Sequence, residues 1–201
     1  FDYVWTQPPA VPDWIYLAQS DDDSWQLHQD VLGYLDANPN TKLAFQPGTV
    51  HFQWGKEKLA DFYKHAHIVI LNREEAADVT GAPVESIPEL VRAFHEMEVN
   101  VIIITDGKDG AYASDGQRIL QIPNYPDPAP PYDRTGAGDA FASTLVAGLA
   151  LGESLETALL WAPINSMSVV QKIGAQDGLL SREQLQQYLQ NAPADYQVKQ
   201  L

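Results

Sequence analysis

The sequence has no cysteine, so disulfide bonds, thiolate zinc sites and cysteine nucleophiles are all excluded. That absence fits a cytoplasmic setting. Basic residues are scarce: 12 Lys and Arg stand against 27 Asp and Glu, a formal net charge of −15. A chain this acidic repels a polyphosphate backbone, which argues against nucleic acid as a partner. No uninterrupted apolar run is long enough to span a bilayer, so a membrane partner is not expected either. What is present is the composition of a globular domain. Apolar residues make up 45% of the 201 and charged residues 19%, and this length is one domain's worth of chain with a sizeable core. The opening Phe1-Asp2-Tyr3-Val4-Trp5-Thr6-Gln7-Pro8-Pro9 sets aromatics beside a proline pair, a poor solvated tail and a good internal connection. It predicts that the sequence is a fragment of a larger domain.

Hydrophobic patterning predicts alternating strands and helices. Residues 14–18 and 42–45 read as short buried strands and 67–71 as a third. Val101–Thr105, an unbroken apolar run, reads as a central parallel strand buried on both faces. Asp21–Ser24 offer N-caps for a helix with Leu27, Val31, Leu32 and Leu35 on one face, ended by Asn38-Pro39-Asn40. A helix is expected near 55–65, and another from Asn72 to about Thr80 with Gly81 just past its end. A capping box over Ser86–Glu89 should open the next helix and turn Ile87, Leu90, Val91 and Phe94 inward. Asp115-Gly116 between 110–114 and 117–122 signals a hairpin. The alternation up to Thr105 indicates an α/β fold.

Pro123, Pro126, Pro128, Pro130 and Pro131 make the next segment a loop without regular ladder bonding. Beyond it, Thr135–Leu151 is apolar on nearly all sides and rich in Ala and Gly, the pattern of a deeply buried, closely packed helix. Ser154 caps a further helix whose spacing through Leu155, Ala158, Leu159 and Ala162 is interrupted by Pro163. An interior proline costs about 3 kcal/mol, so the helix either restarts there or tolerates a kink. A box at Ser181 and Gln184 opens the last helix.

The densest chemical signal is Asp133-Arg134-Thr135-Gly136-Ala137-Gly138-Asp139-Ala140-Phe141. A proline-rich loop runs into Gly-Ala-Gly at the mouth of a buried helix, where amides and the helix dipole favour an anion. Asp139 sits just inside, where a plain anion-binding loop has no use for an acid. On these residues alone two readings are open. Asp139 takes a proton from a hydroxyl attacking a phosphoryl group, or it only complements the helix dipole while the glycines permit packing. Two other glycine motifs fail. The dinucleotide fingerprint needs a third glycine where Phe141 stands and a strand where the prolines stand, and Gly-Lys-Ser/Thr occurs nowhere.

Asp133-x-Thr135-Gly136-Ala137-Gly138-Asp139-x-Phe141 resembles the second signature of the ribokinase/PfkB sugar-kinase family. Asn72-Arg73-Glu74-Glu75 resembles the family's Asn-x-x-Glu motif, and Thr105-Asp106-Gly107-Lys108-Asp109-Gly110 its Thr-x-Gly-x-x-Gly nucleotide turn. The run from Asn165 to Gln176 resembles the segment that closes the adenine and monovalent-cation sites. The resemblance implies a ribokinase-like three-layer α/β/α sandwich with a mostly parallel central sheet. Residues 1–201 would form a single kinase domain's C-terminal nucleotide-binding portion, lacking the N-terminal strands and the lid. The implied activity is ATP-dependent phosphorylation of a hydroxyl on a sugar or nucleoside, with Mg2+ and a potassium-like ion (K+). A noncatalytic nucleotide-binding module of the same fold is the alternative.

The resemblance also implies roles. Asp139 is the base, and the amides of Gly136, Ala137 and Gly138 hold the migrating phosphoryl group. Glu75 orients water on the magnesium and Asn72 lies near the phosphates, although an Asn and a Glu at this spacing also make a capping box. Thr105, Gly107 and Gly110 bind the nucleotide, and Pro163 and Asn165 wrap the adenine. Asp133 and Thr135, with the carbonyls of Val169, Lys172 and Gly174, hold the monovalent ion. Arg134 stands where many members carry a small polar residue. The family's Gly-Gly sugar motif has no counterpart in this sequence, and the implied homodimer would form through a lid absent from this chain. The histidines at 28, 51, 65, 67 and 95 form no metal-binding spacing, and His65 and His67 read as structural.

Overall fold

The structure, a computed structural model, describes residues 3–201, so Phe1 and Asp2 of the opening segment lie outside the described residues. The fold is α/β. Its seven strands alternate with helices through most of the chain. The chain divides into two compact units: one runs to Ile104 and takes in Ala113–Ile119, the other consists of Thr105–Tyr112 and Leu120–Leu201.

The first unit contains β1 (Trp14–Leu17), α1 (Trp25–Ala37), β2 (Lys42–Phe45), α2 (Thr49–Trp54) and α3 (Ala60–His65). β3 (Ala66–Asn72), α4 (Arg73–Thr80), α5 (Ile87–Glu96) and β4 (Val101–Thr105) follow. β1 pairs parallel with β2, from Trp14 opposite Lys42 to Leu17 opposite Phe45, and β2 pairs parallel with β3. Leu43, Phe45, Ile68, Ile102, Ile103 and Ile104 are fully buried, the two-sided burial that continuous apolar runs require. Ile87, Leu90, Val91 and Phe94 of α5 are buried, as their spacing predicts.

Two local expectations fail here. The helix expected near 55–65 forms only over its second half, as α3, because Gly55 takes φ +82°, ends α2 and leads into a turn at 56–59. The box at Ser86 does not form: the Ser86 side chain caps nothing, and its backbone carbonyl receives the amides of Glu89 and Leu90.

The unit also buries two histidines that no local spacing flags. His28 and His51 are fully buried and touch Nε2 to Nε2 at 2.8 Å. His28 Nδ1 lies 2.8 Å from the carbonyl of Ser24, so it must donate. The Gly48 amide donates to His51 Nδ1, so the His51 proton sits on Nε2 and points at the bare Nε2 of His28. Both rings are therefore neutral, and a proton added to either meets another proton. Burial, and then the neighbouring His28, push the His51 pKa down to about 4, and burial likewise lowers His28.

The second unit holds a 3-10 turn at Gly107–Asp109, half of β5 (Ala111–Ser114), most of β6 (Ile119–Ile122), α6 (Ala137–Ala150), α7 (Leu155–Val169), α8 (Arg182–Gln190) and β7 (Lys199–Gln200). β7 pairs antiparallel with β6, a strand too short and too exposed for any hydrophobic period to reveal. α6 packs closely on α7: a Cβ on Gly148 would stand 3.1 Å from the Ala158 Cβ. α7 runs unbroken through Pro163. The ring removes one helical bond, and the Tyr196 hydroxyl donates to the nearby Leu160 carbonyl at 2.6 Å. Among the described residues no helix is long and apolar enough to cross a membrane.

Candidate active site

α6 opens from Gly136, which has φ +80°, and a Cβ there would lie 2.5 Å from the Ala175 Cβ and 2.7 Å from its Cα. Glycine is obligatory at this position on both counts. The turn is pinned from the side by Asp133, whose carboxylate accepts the Thr135 amide at 2.9 Å and the Gly174 amide at 3.3 Å. The Thr135 amide, then the Thr135 side chain and the Gly174 amide, hold the Asp133 pKa below the usual carboxylate range. Ala137 donates to the Arg134 carbonyl at 3.3 Å, and Ser166 Oγ donates to the Ala137 carbonyl at 3.0 Å.

Gly138 differs from Gly136. It lies inside α6, and a Cβ added to it would meet nothing within 4 Å. Nothing in the chain requires a glycine there, yet glycine weakens a helix relative to alanine. The space it leaves open belongs to a cleft. Asp139 follows immediately and is exposed, with its carboxylate on the first turn of α6 rather than in packed hydrocarbon.

The cleft is about 380 Å³ and lies wholly within the second unit. One wall is the turn after β4, with Thr105, Gly107 and Gly110. Gly110 has φ +88°, and a Cβ on it would fall 2.1 Å from the Ile122 carbonyl, so this turn also demands glycine. The opposite wall is the α6 mouth with Ala137 and Gly138, and Pro163 of α7 contributes to the lining. The turn and the loop before α6 are tied by Asn124, whose Nδ2 donates to the Gly107 carbonyl at 2.7 Å.

Six residues singled out in the sequence thus meet in one cavity. Others are placed differently. Asn165 is buried away from the cleft lining; its Nδ2 donates to Thr144 Oγ1 at 2.7 Å and its Oδ1 accepts the Leu180 amide at 2.9 Å. The carbonyl of Val169 accepts the Lys172 amide at 3.0 Å, which with the Asp133–Gly174 bond closes the loop after α7 around itself.

Asn72 and Glu75 belong to the first unit, and there they form the reciprocal box that their spacing also allows. Asn72 Oδ1 accepts the Glu75 amide and Glu75 accepts the Asn72 amide, both at 2.9 Å. Burial pushes the half-buried Glu75 carboxyl up, and the Asn72 amide pulls it partly back.

Asn124 and Tyr125 line the cleft without standing in any motif, and Lys108 lines it from an unspecified position of the Thr105–Gly110 turn. Tyr125 is fixed edge-on to Tyr196 at 4.9 Å between centroids, and its hydroxyl donates to the Tyr188 carbonyl. No periodicity marks a residue in a proline-rich loop, so only the tertiary fold identifies Asn124 and Tyr125.

The end of a sheet strand is where open α/β folds bind ligands, and the mouth of a helix favours an anion. The chain belongs to the pfkB family of carbohydrate kinases, whose family model matches residues 29–182. It is 36% identical over 88 residues to a ribokinase of Bacillus subtilis, covering 44% of this chain and 29% of that protein. It is 31% identical over 120 residues to a cytidine kinase of Thermococcus kodakarensis, covering 59% and 42%. Its fold is similar to the fructokinase of Vibrio cholerae solved with fructose, ADP and calcium, with a TM-score of 0.75, 21% identity, and coverage of 90% of this chain and 62% of that one. The chain therefore spans less than half the length of these two curated relatives.

Proposed function

We propose that this chain carries the nucleotide-binding and base-bearing part of an ATP-dependent phosphotransferase that phosphorylates a hydroxyl of a sugar or nucleoside. The observation that carries this reading is the meeting of Thr105, Gly107 and Gly110 with Ala137, Gly138 and Pro163 in one cleft, with the exposed Asp139 following Gly138 on α6. Its volume of about 380 Å³ falls in the range of small-ligand sites. Its charged lining residues are Lys108, Arg134 and Asp127, a local excess of positive charge in a chain of net charge −15. The open space at Gly138 gives phosphate oxygens room against the helix mouth. These features fit a nucleotide's phosphates.

In this mechanism the amides of Gly136, Ala137 and Gly138 stabilise charge on the phosphoryl group as it moves. Asp139 accepts the proton of the attacking hydroxyl. Magnesium, when bound, neutralises charge on the β- and γ-phosphates. Asn72 and Glu75 carry the family's Asn-x-x-Glu pattern, and one Glu75 carboxylate oxygen is held by the Asn72 amide. Asp133, Thr135, Val169, Lys172 and Gly174 are the candidate frame of a K+ site.

The test is Mg-ATP turnover by the full chain against a panel of sugars and nucleosides, with ATP binding measured in parallel. Asp139→Asn should bind ATP like the parent and turn over about 10²–10⁴-fold more slowly. Equal idleness of the two proteins, both binding ATP, would establish a noncatalytic nucleotide-binding module instead.

A further inference from the structure

Lys108 and Arg134 line the same cleft, yet neither makes an ion pair or a side-chain hydrogen bond among the described residues. Lys64, Arg92, Arg118 and Arg182 pair with carboxylates, whereas Lys108 and Arg134 present their charge at the cleft. Two exposed cations on the walls of one cavity, against the single carboxylate of Asp127 there, favour an anionic ligand in it. Their anchoring is unequal. Arg134 stands in the turn that opens α6, its carbonyl bound by the Ala137 amide, between Asp133 and Thr135, which are locked to each other. Lys108 stands in the turn after β4, whose Gly107 carbonyl is held by Asn124. One cation thus marks the helix-mouth wall and the other the strand-end wall.

We infer that Arg134 and Lys108 clamp a nucleoside triphosphate from its two sides, and that Arg134, at the helix mouth, reads the terminal phosphate and sets the preference for ATP over shorter nucleotides. The inference rests on the proposed nucleotide site and adds which side chains recognise the phosphate chain. Arginine suits the helix-mouth position because its planar fork can engage two phosphate oxygens together, whereas lysine supplies a single point charge.

The experiment is direct calorimetric binding of ATP, ADP and AMP to the full chain and to Arg134→Gln, Arg134→Lys and Lys108→Gln, with unfolding midpoints recorded for each. Arg134→Gln should weaken ATP about ten- to a hundredfold, the range for a hydrogen bond to a charged group, and leave AMP unchanged. Arg134→Lys should recover part of the ATP affinity and Lys108→Gln should weaken both ATP and ADP. Loss of ATP and AMP affinity in parallel, or no change in ATP affinity with Arg134→Gln, overturns the inference while the nucleotide site stands. Failure of the parent chain to bind any of the three nucleotides overturns both.

Discussion

Gly136 and Gly138 lie two residues apart in the same turn, and replacing each with alanine should have opposite consequences. At Gly138 the added methyl meets nothing within 4 Å, and the residue is already helical. Removing a helical glycine stabilises the folded state by about 0.5–1 kcal/mol, so Gly138→Ala should raise the unfolding midpoint. The same methyl projects into the space reserved for the ligand, so ATP affinity should fall by about tenfold or more, a change of at least 1.4 kcal/mol. At Gly136 alanine must adopt φ +80° and press its Cβ to 2.5 Å from the Ala175 Cβ and 2.7 Å from backbone. That combination should cost about 2–4 kcal/mol of stability. Urea unfolding followed by tryptophan fluorescence, with ATP calorimetry on the same preparations, measures both effects. A Gly138→Ala protein that binds ATP as well as the parent would refute the assignment of that open space to a phosphate.

The His28–His51 pair predicts an acid limit. Both histidines are neutral in the fold and protonate more readily unfolded, so stability is level above about pH 6.5 and declines as pH falls from there toward 4. For His51 alone, a depression from 6.5 to about 4 corresponds to about 3 kcal/mol lost by pH 4. Urea midpoints across this range, with His51→Phe as comparison, read the slope; a pH-independent parent would sink the tautomer assignment. Asn165→Ala strands the Thr144 hydroxyl and the Leu180 amide and should destabilise the chain by about 2–4 kcal/mol. Nucleotide affinity of the protein that remains folded should be retained, and a selective loss of ATP binding at unchanged stability would show that the side chain faces ligand after all.

Local bonding made part of this protein legible without coordinates. Asn72 caps α4 and Gly81 ends it in the left-handed region, Ser181 and Gln184 close a reciprocal box, and Val101–Thr105 is a buried strand. Each depends on residues within four or five positions or on a single period, so the neighbours in the chain suffice. The glycine signature belongs to the same group, since the positive φ at Gly136 is a property of that turn. Where the outcome hung on partners far along the chain, local reading stopped short. Pro163 is accommodated within α7, Asn165 turns to Thr144 and Leu180, and two histidines 23 positions apart fuse into one neutral pair. The cleft shows the division most clearly. Sequence named its glycines because they stand in short motif turns, but Asn124 and Tyr125 became its walls through folding alone, because a side chain's place in a cavity depends on every element packed around it.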